Sequence, residues 1–366
     1  MTLREAIGQL FIFGFEGREP SPALEALVRD RAPGGLILFN HNLGGPDEIG
    51  ALTAALQAAS ATPLFIAIDQ EGGRVARLGP PFTQWPGASA IGAVGSGTLT
   101  YAVGEAIAKE LLAVGINMNL APVLDVLTQP GNPVIAGRSF SADPQAVARH
   151  GTAFFRGLRD QGVLAVGKHF PGHGDTTEDS HLALPVVPHD LSRLLAVELV
   201  PFVAAVGEGI PALMTAHLLV PALDREWPAT LSRPILTDLL RERLGFSGLM
   251  MSDDLLMSGI AESTPPGEAA VRFLEAGGDM MLICSDDPAQ RLALEAVAEA
   301  VARGRLAEER VRASCDRIAR AKAWYLNRTT PTLPGEAIRA AVGCEAHRRL
   351  AERLPAGART GSEEAA

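Results

Sequence analysis

Residues 168–181 read Lys-His-Phe-Pro-Gly-His-Gly-Asp-Thr-Thr-Glu-Asp-Ser-His, which places three histidines, one lysine and two aspartates in fourteen positions. Histidine exchanges protons near neutral pH, a carboxylate can orient it, and lysine supplies positive charge, so the stretch holds parts for general acid–base chemistry. Pro171, Gly172 and Gly174 exclude a regular helix here. The apolar run Val163–Gly167 immediately before reads as a buried strand. A rigid strand feeding a loop dense in proton-transfer groups is where catalysis is expected.

Other polar residues follow other apolar runs. Asp69-Gln70-Glu71-Gly72-Gly73-Arg74, with Arg77 beyond, follows one; Asp125, leading on to Arg138, follows a second; His217 follows a third and Ser252-Asp253-Asp254 a fourth. Each has a plainer reading. Ser252 or Asp253 suits a helix cap, Asp69 a turn, the arginines surface ion pairs, and His217 a hydrogen-bonded structural role. Taken together they fall on one face of the expected fold. Two carboxylates for nucleophile and orienting roles, a histidine, two arginines and a lysine suit a neutral, hydroxyl-rich substrate and glycosyl transfer. His169, His173 and His181 with Asp175 and Asp179 also form a candidate metal set. Histidines four apart share a face only on a helix, which Pro171-Gly172 prevents, so neither a metal nor another cofactor is expected.

Apolar runs at Leu36–Phe39, Leu64–Ile68, Ile116–Leu120, Leu164–Lys168, Ala212–Ala216, Leu249–Met251 and Met280–Ile283 read as buried parallel strands. Helical patterns such as Leu236–Leu244 and Pro266–Ala276 alternate with them. Seven or eight βα units point to a single-domain (β/α)8 TIM-type barrel over residues 1–354, with an open doubly wound sheet as the alternative. In such a barrel the groups after the strands converge at one end. The strongly helical stretch Asp287–Leu326 closes the outer layer, and the tail 355–366, with no side chain bulkier than alanine among its apolar residues, is expected to be disordered.

The chain has 366 residues, 47% of them hydrophobic, and can bury a large core. A net charge of −10 without a basic cluster argues against nucleic acid or an anionic membrane as partner. Cys284, Cys315 and Cys344 are widely spaced and look like reduced thiols. The N-terminal residues lack the pattern of a signal peptide, and Leu10–Phe15 is too short to span a bilayer, so a soluble, cytoplasmic protein is expected. The residues leave oligomeric state open.

From about Gly8 to Tyr325 the chain resembles glycoside hydrolase family 3, in particular its single-domain bacterial β-N-acetylglucosaminidases of cell-wall recycling. The resemblance is carried by Gly34-Gly35-Leu36-Ile37-Leu38-Phe39, Asp69-Gln70-Glu71-Gly72-Gly73-Arg74-Val75, Gly137-Arg138-Ser139-Phe140, Lys168 through Gly174, Asp179-Ser180-His181 and Ser252-Asp253-Asp254-Leu255, in that order. It implies a (β/α)8 barrel and hydrolysis with retention through a covalent glycosyl-enzyme. By motif match Asp253 is the nucleophile, His181 the acid/base and Asp179 its partner, while Asp69, Arg77, Arg138, Lys168 and His169 bind the N-acetylglucosaminyl ring. His41 and Ala136 depart from the family pattern beside the site and bear on fine specificity. Phosphorolysis, β-glucosidase or β-xylosidase activity, and a catalytically inactive sugar-binding barrel are the alternatives.

Overall fold

The computed structural model describes residues 1–178, 183–285, 287–326 and 335–355. Eight parallel strands close into a barrel: β1 Phe11–Phe13, β2 Gly35–Leu38, β3 Phe65–Ile68, β4 Met118–Asn119, β5 Leu164–Phe170, β6 Ala212–Thr215, β7 Leu249–Asp254 and β8 Met280–Ile283. Each pairs with its sequence neighbours, and β8 returns to β1 with Met281 opposite Phe11. This closure excludes the open sheet. Helices cover the outside, so strand residues such as Ile12, Ile66, Ala165, Met250 and Met281 are fully buried, and the strands read as continuous apolar runs.

Several strands differ from the sequence expectation. Phe11–Phe13, within the short run noted above, is the first strand, so the motif-bearing strands stand one place later around the barrel. β5 runs past the expected Lys168 to Phe170, making His169 a strand residue, and β7 runs past Met251 to Asp254, making Asp253 and Asp254 strand residues too. The helix over Pro266–Ala276 has the expected bounds, whereas the last helical stretch is divided into Asp287–Ala302 and Glu308–Tyr325. The expected tail falls on residues outside those described, apart from Pro355. Among the described residues no helix is long and apolar enough to cross a membrane.

The shortest strand is completed by side chains. Asn117 and Asn119 bond the β3 segment, Asn119 exchanging two 3.0 Å bonds with the backbone of Gln70. Beyond β4 the chain stays beside β5, with Leu124 N–H donating to the Lys168 carbonyl and Lys168 N–H to that of Pro122, which delivers Asp125 next to His169. Gly174 then passes so close to Val126 that a Cβ would overlap its carbonyl oxygen. These backbone contacts build the site floor.

At the opposite end, Asp279 is fully buried and anchors the helical layer. It accepts from Arg241 Nη2 at 2.7 Å, Arg317 Nη1 at 3.0 Å, Ser314 Oγ at 2.7 Å and the Met250 N–H at 3.1 Å. Removing one partner from a buried charge network strands the others. Asp279→Ala is therefore expected to lower unfolding free energy by about 3–5 kcal/mol in urea titrations; a loss within the scatter of a surface substitution would contradict the anchoring role.

Candidate active site

At the C-terminal ends of the strands two carboxylates and two cations interlock. Asp69 leaves β3, and the hairpin Gln70–Gly72/Val75–Ala76 holds Glu71 on the same side. Lys168 Nζ, from β5, lies 2.6 Å from Asp69 Oδ1 and 2.7 Å from Glu71 Oε1. Arg138 grips Glu71 with two bonds, Nε to Oε2 at 2.9 Å and Nη2 to Oε1 at 2.8 Å. Burial acts to raise the Glu71 carboxyl, but Arg138 and Lys168 outweigh it and hold the group far below its usual range. Lys168 is raised despite burial, because Asp69 and Glu71 face it. Charges this deep are stable only because each is paired.

Arg77 belongs to the same wall. Gln70 Oε1 accepts from the N–H groups of Arg77 and Leu78, turning the chain back over the strand ends. The Arg77 guanidinium lies 5.5 Å above the Phe39 ring centroid, and Nη2 is 3.9 Å from Asp69 Oδ2. Among the described residues its buried Nε has no acceptor.

His169 is held by Asp125. The carboxylate takes the His169 ring Nδ1 at 2.6 Å and the backbone N–H groups of His169 and His173. Burial favours a neutral Asp125, yet His169, His173 and these N–H donors keep its pKa low. With Nδ1 engaged, Nε2 is the His169 nitrogen left to face a ligand. His173 is pushed down to about 4 by burial and by neighbouring His169, so it is neutral at pH 7 and bonds Thr176 Oγ at 2.8 Å.

Asp253 and Asp254 end β7 and have different surroundings. Burial would raise Asp253, but His217, His169, Lys168 and the Asp254 N–H lower it on balance. At Asp254, Oδ1 accepts the N–H groups of Leu256 and Cys284, and burial raises the pKa to about 6. Adjacent side chains on a strand leave in opposite directions, and here one carboxylate faces the histidines and lysine while the other faces β8.

The structure thus brings Asp69, Arg77, Arg138, Lys168, His169 and Asp253 to one end of one barrel. Asp179 and His181 lie outside the described residues. Among those described, no group of three or more His, Cys, Asp or Glu side chains is arranged to hold a metal ion. A model of the glycosyl hydrolase family 3 N terminal domain matches residues 2–321.

The chain belongs to glycosyl hydrolase family 3. A β-hexosaminidase of Alkalilimnicola ehrlichii is 41% identical over 280 residues, which cover 75% of this chain and 80% of that protein. The solved structure of a family 3 β-N-acetylglucosaminidase from Paenibacillus sp. str. FPU-7 is 42% identical, with a TM-score of 0.92 over 96% of this chain and 68% of that one. A β-glucoside phosphorylase structure is 27% identical, with a TM-score of 0.86 over 96% and 64% of the two chains. As a family 3 member the chain is a glycoside hydrolase, and its substrates are carbohydrates.

Glu71 and Asp125 stand among the polar residues that follow apolar runs, but the motif match gave neither a role in this family 3 site. Glu71 stands two residues after Asp69, and residues two apart share a face of an extended chain, so the signal was present. Asp125 was marked by its place after an apolar run, but its contact with His169 spans two strands and is not encoded in the spacing.

Glu71 and Asp254 predict opposite pH responses of stability. Glu71 titrates in the fold below its ordinary value of 4.5, so its contribution is complete above about pH 4.5 and is lost as pH falls. Glu71→Gln should be clearly less stable than the native protein at pH 7, with the gap narrowing below about pH 4.5. Asp254 titrates near 6, above its ordinary 3.8, so its contribution is present at low pH and lost as pH rises through 6. Asp254→Asn, which keeps the Oδ1 acceptor, should match the native protein near pH 3.5 and exceed it above pH 6. Urea midpoints across this range test both; gaps of the same sign would refute the two environments.

Proposed function

We propose that this family 3 hydrolase is a retaining β-N-acetylglucosaminidase that removes terminal β-linked N-acetylglucosamine, with peptidoglycan-derived anhydro-muropeptides as its natural substrates. The observation that carries the reading is Asp253: a partly buried carboxylate whose pKa is held low by His217, His169 and Lys168, at the mouth of a site walled by paired charges. An ionised carboxylate there is suited to attack an anomeric carbon. The N-acetylhexosamine assignment draws on the printed activities of the two relatives at 41% and 42% identity.

Asp69, Lys168, Arg138, Arg77 and His169 bind the ring. Asp69 accepts from sugar hydroxyls, and Lys168, the Arg77 guanidinium and His169 Nε2 complete the contacts; Arg138 acts partly by holding Glu71. In the first step Asp253 forms a bond to C1 as the glycosidic C1–O bond breaks, and His181 gives its proton to the leaving oxygen. In the second, His181 takes a proton from water, the water oxygen bonds to C1, and the Asp253–C1 bond breaks. Two inversions return the β configuration. Asp179 partners His181, favouring its protonated form and choosing which ring nitrogen carries the proton.

A panel of p-nitrophenyl glycosides tests the substrate class. The β-N-acetylglucosaminide should be cleaved with far higher kcat/KM than the β-glucoside or β-xyloside, and the product in phosphate buffer should be free sugar. Comparable turnover of the glucoside would overturn the N-acetyl specificity, and sugar 1-phosphate as main product would make the enzyme a phosphorylase.

Two variants test the roles. Asp253→Ala should lower kcat by roughly four orders of magnitude, on the scale of losing a covalent nucleophile. His181→Ala should harm natural disaccharides, which need a protonated leaving group, much more than activated aryl glycosides. Equal losses on both substrate types would assign the proton transfer to another group.

A further inference from the structure

We infer that His217 is a positioning residue for the nucleophile: through the peptide of Asp254 it sets the direction in which the Asp253 carboxylate points. The inference rests on Asp253 being the nucleophile, and it concerns a residue that does not itself meet the sugar.

Asp254 is held at four points, one of them the Met257 N–H, which donates to its carbonyl oxygen at 3.1 Å. Its Oδ1 accepts the N–H of Leu256 at 3.1 Å and of Cys284 at 3.2 Å, which ties the side chain to the start of the next turn and to the end of β8. Its carbonyl oxygen lies 2.8 Å from His217 Nε2. So held, it turns its own N–H onto Asp253 Oδ1 at 2.9 Å. With Oδ1 engaged, Oδ2 is the oxygen left for the anomeric carbon. The attack direction is therefore decided by how Asp254 sits.

The chemistry of the acceptor decides which way the first bond runs. A carbonyl oxygen has lone pairs and no proton, so Nε2 of His217 must be the donor. Nδ1 lies 2.8 Å from Thr230 Oγ1, whose single hydroxyl proton serves either Nδ1 or the Ala216 carbonyl at 3.0 Å, with Thr215 Oγ1 2.9 Å away. The ring is bonded at both nitrogens and cannot rotate without breaking both contacts. His217, Thr215 and Thr230 are all buried, so these bonds form in a low-dielectric surrounding where a lost partner is costly. A histidine serving only to close the barrel could bond any convenient carbonyl. This one bonds the residue whose N–H fixes Asp253, and its proximity also favours the ionised carboxylate.

Two amide variants separate positioning from structure. Gln places its N–H₂ where Nε2 stands and can still reach the Asp254 carbonyl; Asn is shorter and can serve only the Thr230 side. The readout is the saturating rate of covalent labelling by a 5-fluoro-N-acetylglucosaminyl fluoride, with the labelled peptide identified by mass spectrometry, beside the affinity for free N-acetylglucosamine and the melting temperature. His217→Gln should label within about fivefold of the native rate, while His217→Asn should be slowed roughly 30- to 100-fold, the scale on which a small misplacement of a reacting group costs rate. Affinity for N-acetylglucosamine should change little in either. Equal slowing in Gln and Asn, or weaker sugar affinity with an unchanged labelling rate, would overturn the inference. If the His217 variants fail to fold, Thr230→Val supplies the same test: about tenfold slower labelling, restored in Thr230→Ser, supports it, and native labelling in Thr230→Val refutes it. A native enzyme that labels a residue other than Asp253, or none, overturns the nucleophile assignment and this role together. Native-rate labelling of Asp253 in His217→Asn overturns the positioning role alone.

Discussion

The site depends on keeping charged groups out of water. Lys168 and Glu71 are almost fully buried, and an isolated charge there would cost many kcal/mol or lose its ionisation. The structure prevents this by sharing: Lys168 between Asp69 and Glu71, and Glu71 between Lys168 and Arg138. Removing any one group leaves its neighbours without compensation, so the four residues behave as a unit. Such a unit tolerates little movement, which is useful where ring hydroxyls must be met by fixed donors and acceptors.

The barrel supplies the rigidity this unit needs. Its contributors come from β3, the hairpin after it, the segment before the helix at 144–161, and β5. They meet because parallel strands closed into a barrel direct all their C-terminal ends to one face. The short β4 would weaken the ring at this place, and asparagine side chains restore the missing ladder bonds. Asp279 performs the complementary task at the other end, clamping arginines of the outer helices to β7 and β8.

The same logic separates the paired aspartates of β7. One sequence step turns Asp254 away from the histidines and lysine toward backbone N–H groups and a thiol, where burial dominates its titration. Asp253 stays beside Lys168 and two histidines, which hold its pKa below the ordinary value. Two residues identical in chemistry are thereby given different proton affinities, and the difference arises from which face of the strand each one occupies.

The fold class was legible because continuous apolar runs separated by helical periodicity have few ways to be buried, and a closed barrel covers every strand on both faces. The convergence of Asp69, Lys168, His169 and Asp253 was legible for the same reason, each standing just after or at the end of such a run. Phe11–Phe13 escaped because three apolar residues look alike in a strand, a turn or a helix, and only pairing with both β2 and β8 makes them the strand that closes the ring. Sequence alone therefore determined the barrel, the family and most of the charged inventory, since these follow from local pattern and motif. The clamp of Asp125 on His169, the sharing of Glu71 and the link from Thr230 through His217 to Asp254 were decided by tertiary structure, because hydrogen bonds between separate strands depend on distances that no local spacing encodes.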